Sequence, residues 1–305
     1  MTLGPRPTFR VLASDGWPLV VERIAAIAPA RGVVVCGHAM MCNRRTLDRP
    51  RGAGLGSALA EGGFHVYLVD LRGHGESGPA ASRTVRFDYD DFVLKDLPAL
   101  ITTIAARHPD LPLALVGHSL TAHTGVATLG AVPGLPVRAM VSLGGNVWIP
   151  RLEPDPLVWA QKRARLEAWG VVSRLTGRFE ARRLRFGTDD ESLDYVLQFV
   201  HNARKDRWGS RDGRYDYLAA MRSLTLPLLS VTATGDDDLC RPSWAEVWLA
   251  HAVRAQKTTR VVGTHPGDPT GVSHMGLVTD PRMTPIWREI AAWLTKALDK
   301  VAAGS

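Results

Sequence analysis

The stretch Leu113-Ala114-Leu115-Val116-Gly117-His118-Ser119-Leu120-Thr121 decides the fold. Its apolar run, begun at Leu111, shows no polar alternation, which suits a strand covered on both faces of a parallel sheet. The residues after Ser119 read as a helix. A strand, a sharp G-x-S turn and a helix together lift a serine hydroxyl out at the carboxyl edge of a sheet, where it can act as a nucleophile. A bare G-x-S triplet is weak evidence, since most mark loop serines; its place after a buried strand gives this one weight. Gly117 supplies the small residue before the turn. Thr121 stands where such turns usually carry glycine, so a small neighbour is expected to compensate, with Ala122 the candidate.

Working outward, the chain alternates strand and helix on both sides of this segment. Phe9–Ala13 and Leu19–Ile24 read as a hairpin about Ser14-Asp15-Gly16. Gly32–Cys36 and Phe64–Asp70 read as strands, separated by a helix that ends at Gly62-Gly63. Val93, Leu97, Leu100, Ile101 and Ile104 form a helix face, and Pro98 places the regular helix start near Asp96. Arg138–Leu143 is the next strand. The alternation stops after Gly145: residues 147–222 are helical in character and rich in arginine and aromatic residues. It resumes with strands at Leu226–Thr234 and Thr258–Val262 and a helix from Ser243. The closing helix has Thr284 as its expected cap and Pro285 at its first position. This pattern predicts an α/β fold with a mostly parallel sheet and helices on both faces. The core comprises 1–146 and 223–305, and 147–222 form a helical insertion.

Composition sets bounds on function. At 305 residues, 45% hydrophobic and 22% charged, the chain can bury one large core. Its net charge of +7 comes mostly from arginines spread along the length, densest at Arg178, Arg182, Arg183 and Arg185. No aromatic–basic interleaving accompanies them, so no nucleic-acid partner is expected. The apolar runs are too short for a membrane span, and Met1–Arg23 lacks the plan of a secretory leader, so a cytoplasmic location is expected. Cys36, Cys42 and Cys240 make neither a disulfide framework nor a zinc pattern, and no metal or cofactor is expected.

A serine nucleophile needs a base, and the base needs a carboxylate to hold it. The strand at Pro227–Thr234 runs into Gly235-Asp236-Asp237-Asp238, and Asp238 is preferred as the acid over Asp236 and Asp237. His265 and His274 share a glycine- and proline-rich loop before the last helix. His274, in Ser273-His274-Met275-Gly276, is preferred as the base, and His251 reads as a surface residue. The oxyanion needs two N–H donors. Leu120 should give one, and Ala39, ahead of Met40, the other, from the turn Gly37-His38-Ala39-Met40-Met41. Met40, Met41, His118 and Trp148 are expected to bind substrate in an apolar pocket, along with part of the insertion's aromatic set.

In chain order, G-H-A-M-M (Gly37–Met41), D-L-R-G-H-G-E-S (Asp70–Ser77), G-H-S-L-T (Gly117–Thr121), the carboxylate turn and S-H-M-G resemble the α/β-hydrolase superfamily over nearly the whole chain. The tail, H-M-G-L-V ending in I-W-R-E-I-A-A-W-L, resembles more narrowly a bacterial branch of predicted hydrolases. The resemblance implies an eight-stranded sheet, a cap over the active site, and Ser119, Asp238 and His274 as the triad. Three classes of function follow as expectations: hydrolysis of a small carboxylic ester or thioester, acyl transfer through the same acyl-enzyme, or binding without catalysis. The fold does not choose the substrate.

Overall fold

The computed structural model describes residues 6–27 and 29–303. Its strands are β1 (Thr8–Leu12), β2 (Pro18–Ile24), β3 (Gly32–Gly37), β4 (Phe64–Val69), β5 (Leu113–His118) and β6 (Val137–Leu143). Then come the two-residue β7 (Arg178–Phe179) and β8 (Glu191–Ser192), followed by β9 (Pro227–Ala233) and β10 (Gln256–Val262). Eight of these form one sheet in the order β1-β2-β4-β3-β5-β6-β9-β10, and β7 pairs with β8. Within the eight-stranded sheet β2 runs antiparallel to both of its neighbours and every other pairing is parallel, while β7 and β8 pair antiparallel. β3 and β5, the two uninterrupted apolar runs, lie side by side and are buried at every position. The outer strand β10, which opens Gln256-Lys257-Thr258-Thr259, is exposed over those residues. A polar edge of this kind discourages pairing with another chain.

Alternate residues of β3 point to opposite faces, and each face has its own helices. Val33 and Val35 join the core under α2 (Leu97–Ala106), α3 (Leu120–Ala131) and, farther along the sheet, α6 (Pro242–Leu249). Val34 and Cys36 join the core under α1 (Leu55–Glu61) and α7 (Thr284–Ala303). Between β6 and β9 run α4 (Pro156–Thr176) and α5 (Leu193–Arg204). Asp155 caps α4 through the Leu157 and Val158 N–H groups, and Gly177 ends it in the left-handed conformation. Trp148, Leu166, Val200 and Ala203 form a small apolar cluster of their own. Among the described residues no helix is long and apolar enough to cross a membrane. Cys36, Cys42 and Cys240 are free and buried.

One local expectation is met and one needs correction. The regular helix begins at Leu97 with Pro98 in its first turn, as expected, and further helical turns precede it from Tyr89, where Asp88 forms a reciprocal cap with Asp91. A π turn over Phe92–Asp96 follows and leads into α2. The wider turn relieves the clash between a proline ring and the carbonyl four residues back. Thr284 is already helical and donates its hydroxyl to the Pro281 carbonyl; Asp280 caps the short turn that precedes it.

Candidate active site

Ser119 sits between β5 and α3 with φ +50° and ψ −104°, a backbone state that costs an L-residue free energy of about 1–3 kcal/mol. Its N–H donates to the Leu143 carbonyl at 2.8 Å, which anchors the turn to β6. The turn closes because two glycines leave room for Thr121. Gly37 and Gly117 are register partners at the carboxyl ends of β3 and β5. A Cβ on Gly37 would overlap the Thr121 side chain, and one on Gly117 would overlap its backbone. Gly37 and Gly117, rather than the expected Ala122, therefore make the space for Thr121.

Thr121 also acts on the loop after β3. Its hydroxyl and its N–H both donate to the His38 carbonyl, at 2.8 and 3.3 Å. The two ends of a trans peptide point in opposite directions, so this turns the Ala39 N–H away from Thr121. The Ala39 and Leu120 N–H groups have no protein acceptor among the described residues. His38 steadies the same loop. Its Nε2 accepts from the Leu71 N–H at 3.1 Å, so its Nδ1–H donates to the Ala39 carbonyl at 2.7 Å. Burial, then the neighbouring His74 charge, lower the His38 pKa to about 3 and keep the ring neutral.

The structure corrects the carboxylate. Asp236, not Asp238, meets His274, with Oδ2 2.5 Å from Nδ1. The other oxygen of Asp236 accepts the Leu239 and Cys240 N–H groups at 3.2 and 3.1 Å. Asp238 is exposed and makes a bidentate pair with Arg165 of α4 at 2.9 and 2.7 Å. The reason lies at Gly235, whose bare backbone packs against Gly271 and Val272 just ahead of His274. Asp236 is the first carboxylate beyond that contact, and by Asp238 the chain has turned outward. Burial alone would raise the Asp236 pKa; the hydrogen bond and charge of His274, with the two N–H donors, outweigh it and hold the carboxyl below its usual range.

The His274 ring rests on the bare backbone of Gly144, which has φ +58°. His118 is corrected as well. It is wholly buried behind the site rather than lining the cavity, and its Nε2 is 3.0 Å from the His274 carbonyl. Its side chain therefore positions the histidine loop instead of touching substrate. His265 is exposed, with its backbone N–H on Asp268.

Ser119 and His274 open on one cavity of about 440 Å³. Ala39, Met40, Met41 and Trp148 line it too, with Trp169, Phe186, Phe199, Leu239 and Met275 completing an apolar wall. His123, Asn146 and the Arg165–Asp238 pair are its other polar residues. The segment before α5 shapes this wall. Met41 has φ +60°, and its N–H donates to the buried Glu191 carboxylate at 2.5 Å. Its carbonyl accepts the Thr188 and Asp189 N–H groups. Glu191 also takes the His74 Nε2–H at 3.1 Å, while His74 Nδ1 faces the Arg72 carbonyl at 2.9 Å. Two acceptors on one ring call for imidazolium. Burial alone would depress the His74 pKa, but the Glu191 charge and bond outweigh it and raise it.

Sequence reasoning ranked Asp236 below Asp238 and missed Glu191, Arg165 and His123. His74 lies in the G-H-G-E-S segment, but nothing near Glu191 in sequence marks it as that residue's partner. Among the described residues no cluster of three His, Cys, Asp or Glu side chains could hold a metal ion.

A mostly parallel eight-stranded sheet, with a serine on a strained strand-to-helix turn at its carboxyl edge, defines an α/β-hydrolase-type hydrolase. Residues 28–264 match the model of one family of that superfamily, described as serine aminopeptidase, S33. The chain belongs to this family. Human lipase member N is 28% identical over 147 residues, 44% of this chain and 37% of the lipase. The matched region thus spans little more than a third of that relative's length. Among solved structures, a soluble variant of the monoglyceride lipase of Saccharomyces cerevisiae, bound to a substrate analog, superposes with a TM-score of 0.69 at 16% identity. That match covers 97% of this chain and 96% of the lipase. The Pyrococcus furiosus esterase PF2001 gives a TM-score of 0.62 at 15% identity, over 97% and 90% of the two chains. At these identities the likeness is one of fold.

Proposed function

We propose that the protein hydrolyses small uncharged carboxylic esters or thioesters through a Ser119–His274–Asp236 triad and an acyl-enzyme. The observation that carries this reading is a strained serine sharing a cavity with a histidine whose Nδ1 lies 2.5 Å from a buried carboxylate. Asp236 accepts the Nδ1–H, which leaves Nε2 free to take a proton. Ser119 Oγ attacks the carbonyl carbon as its proton passes to Nε2. The resulting oxyanion accepts the Ala39 and Leu120 N–H groups. Collapse expels the alcohol or thiol with the proton held by His274. Water then gives a proton to His274, attacks the acyl carbonyl and releases the acid, and Ser119 regains its hydrogen. The similar proteins, two lipases and an esterase, support an ester bond over a peptide bond.

In this reading residues 147–222 are a cap, since they bring Trp148, Trp169, Phe186 and Phe199 to the cavity wall. Each acyl methylene buried there gains about 0.8 kcal/mol, or roughly fourfold in specificity, until the cavity is full. Arg165 is neutralised by Asp238, which favours uncharged substrates.

The test is a fluorophosphonate probe with a panel of acetyl to decanoyl nitrophenyl esters. Labelling is expected at Ser119, with efficiency rising from acetyl to butyryl or hexanoyl and then falling. Ser119→Ala should abolish labelling and lower turnover by on the order of 10⁴. Unchanged turnover in a folded Ser119→Ala variant would overturn the proposal.

A further inference from the structure

We infer that His123 presents a fixed hydrogen-bond donor, its Nε2–H, to the cavity, and that the site selects esters carrying a second oxygen acceptor away from the scissile carbonyl. The inference rests on the ester-hydrolase reading of this cavity and adds a substrate class to it. His123 lies one helical turn beyond Ser119 on α3 and lines the cavity.

A relay from the interior sets its tautomer. The indole N–H of Trp208, which can only donate, lies 3.1 Å from the Tyr89 hydroxyl oxygen. That oxygen is in turn 2.8 Å from His123 Nδ1. Tyr89 is buried, and its hydroxyl has no further partner among the described residues. If His123 Nδ1 were the donor, the tyrosine proton would be left buried and unbonded, which is costly. The Tyr89 proton therefore goes to Nδ1, and the neutral ring carries its own proton on Nε2.

The ring has little freedom to do otherwise. Tyr89 stacks on it with centroids 5.5 Å apart and planes 16° apart, and Phe199 packs against it at 5.9 Å. Burial, then the neighbouring His274 charge, lower its pKa to about 3, so it remains neutral at working pH. His123 Nε2 has no protein acceptor among the described residues. His123 lines the cavity and keeps a small part of its surface exposed, whereas His118 Nδ1 is sealed in protein without a partner. Phe199 packs against the ring, and the cavity it shares with Trp169, Met40 and Leu239 is walled largely by apolar side chains. A plain alkyl chain laid over this N–H strips it of water and gives nothing back. An ether, keto or hydroxyl oxygen at that point restores the bond, a difference of about ten- to a hundredfold in efficiency.

The experiment compares 4-nitrophenyl hexanoate with its analogues in which oxygen replaces the methylene at chain position 4 or 5. Each kcat/KM is divided by the ester's rate with hydroxide, to remove intrinsic reactivity. At least one oxygen-bearing ester should exceed hexanoate by about tenfold or more, and the ratio should collapse toward one in His123→Phe and His123→Leu. Equal efficiencies in the wild type, or the same ratio in folded variants, would overturn the inference. Nitrogen-15 NMR of the imidazoles needs no His123 variant: His123 should show protonated Nε2 and bare Nδ1, and the opposite tautomer also overturns it. In Ser119→Ala, the favoured ester should shift the His123 Nε2 signal and hexanoate should not. If the wild type turns over neither ester, the ester-hydrolase reading fails, while the tautomer and the binding shift still decide the role of His123.

Discussion

His274 holds one proton between its Nδ1 and Asp236, and the fate of that proton separates the neighbouring carboxylates. Asp236→Asn replaces an acceptor by an amide that can present N–H to the ring, which favours the tautomer with Nδ1 bare and Nε2 blocked. Turnover should fall by on the order of 10⁴ with little change in KM. Asp238→Asn breaks an exposed pair with Arg165 and should change stability by less than about 1 kcal/mol. It should leave turnover of neutral esters within a few-fold of the wild type. Steady-state kinetics on the two purified variants checks the ranking, and the reverse ranking would return the acid to Asp238.

At the scale of elements, the junction of β3, β5 and α3 explains how a threonine fits a turn that usually needs glycine. Gly37→Ala should destabilise the fold by about 1–3 kcal/mol, because its methyl meets Thr121 from the side. Thr121→Gly should cost about 0.3 kcal/mol in helix propensity, and about 1 kcal/mol more for the lost hold on His38. The double variant should be no worse than Thr121→Gly alone, so urea unfolding should give a coupling of at least about 1 kcal/mol. Additive losses would mean that the two positions do not share this space. The junction also marks the limit of what sequence could tell. Uninterrupted apolar runs made β3 and β5 legible, and the glycine-flanked serine and the late histidine followed from their places after strands. Three successive aspartates carry no periodicity, however, and only the approach of Gly235 to Gly271 selects one. Thr121's reliance on a glycine eighty-odd residues earlier is likewise a contact between distant segments.

Over the whole molecule, the chain between β6 and β9 grips the rest at charged points. Glu191 reaches the Met41 N–H and His74, and Arg165 reaches Asp238. The first grip is buried and depends on protonated His74. A histidine whose pKa is higher folded than unfolded stabilises fully below its unfolded value, and that stabilisation is lost as pH rises through the folded value. The window here runs from about 6.5 to about 9. The melting temperature should fall across it. Glu191→Gln should be less stable below the window, by about 3 kcal/mol if the broken pair behaves as buried pairs do, and its stability should vary less with pH across it. A wild-type curve flat from pH 6.5 to 9 would mean that His74 is neutral.

The three buried cysteines give this architecture a built-in chemical clock. Burial pushes the Cys36 and Cys240 thiols well above their usual range and the Cys42 thiol up to about 12, so the folded chain holds hardly any thiolate. Alkylating reagents react with thiolate, and here they must wait for the protein to open. Cys36 is in the middle of the sheet, Cys42 borders the cavity, and Cys240 closes the loop that carries Asp236. The order in which they are alkylated therefore reports the order in which cavity, acid loop and sheet come apart, with no cysteine introduced.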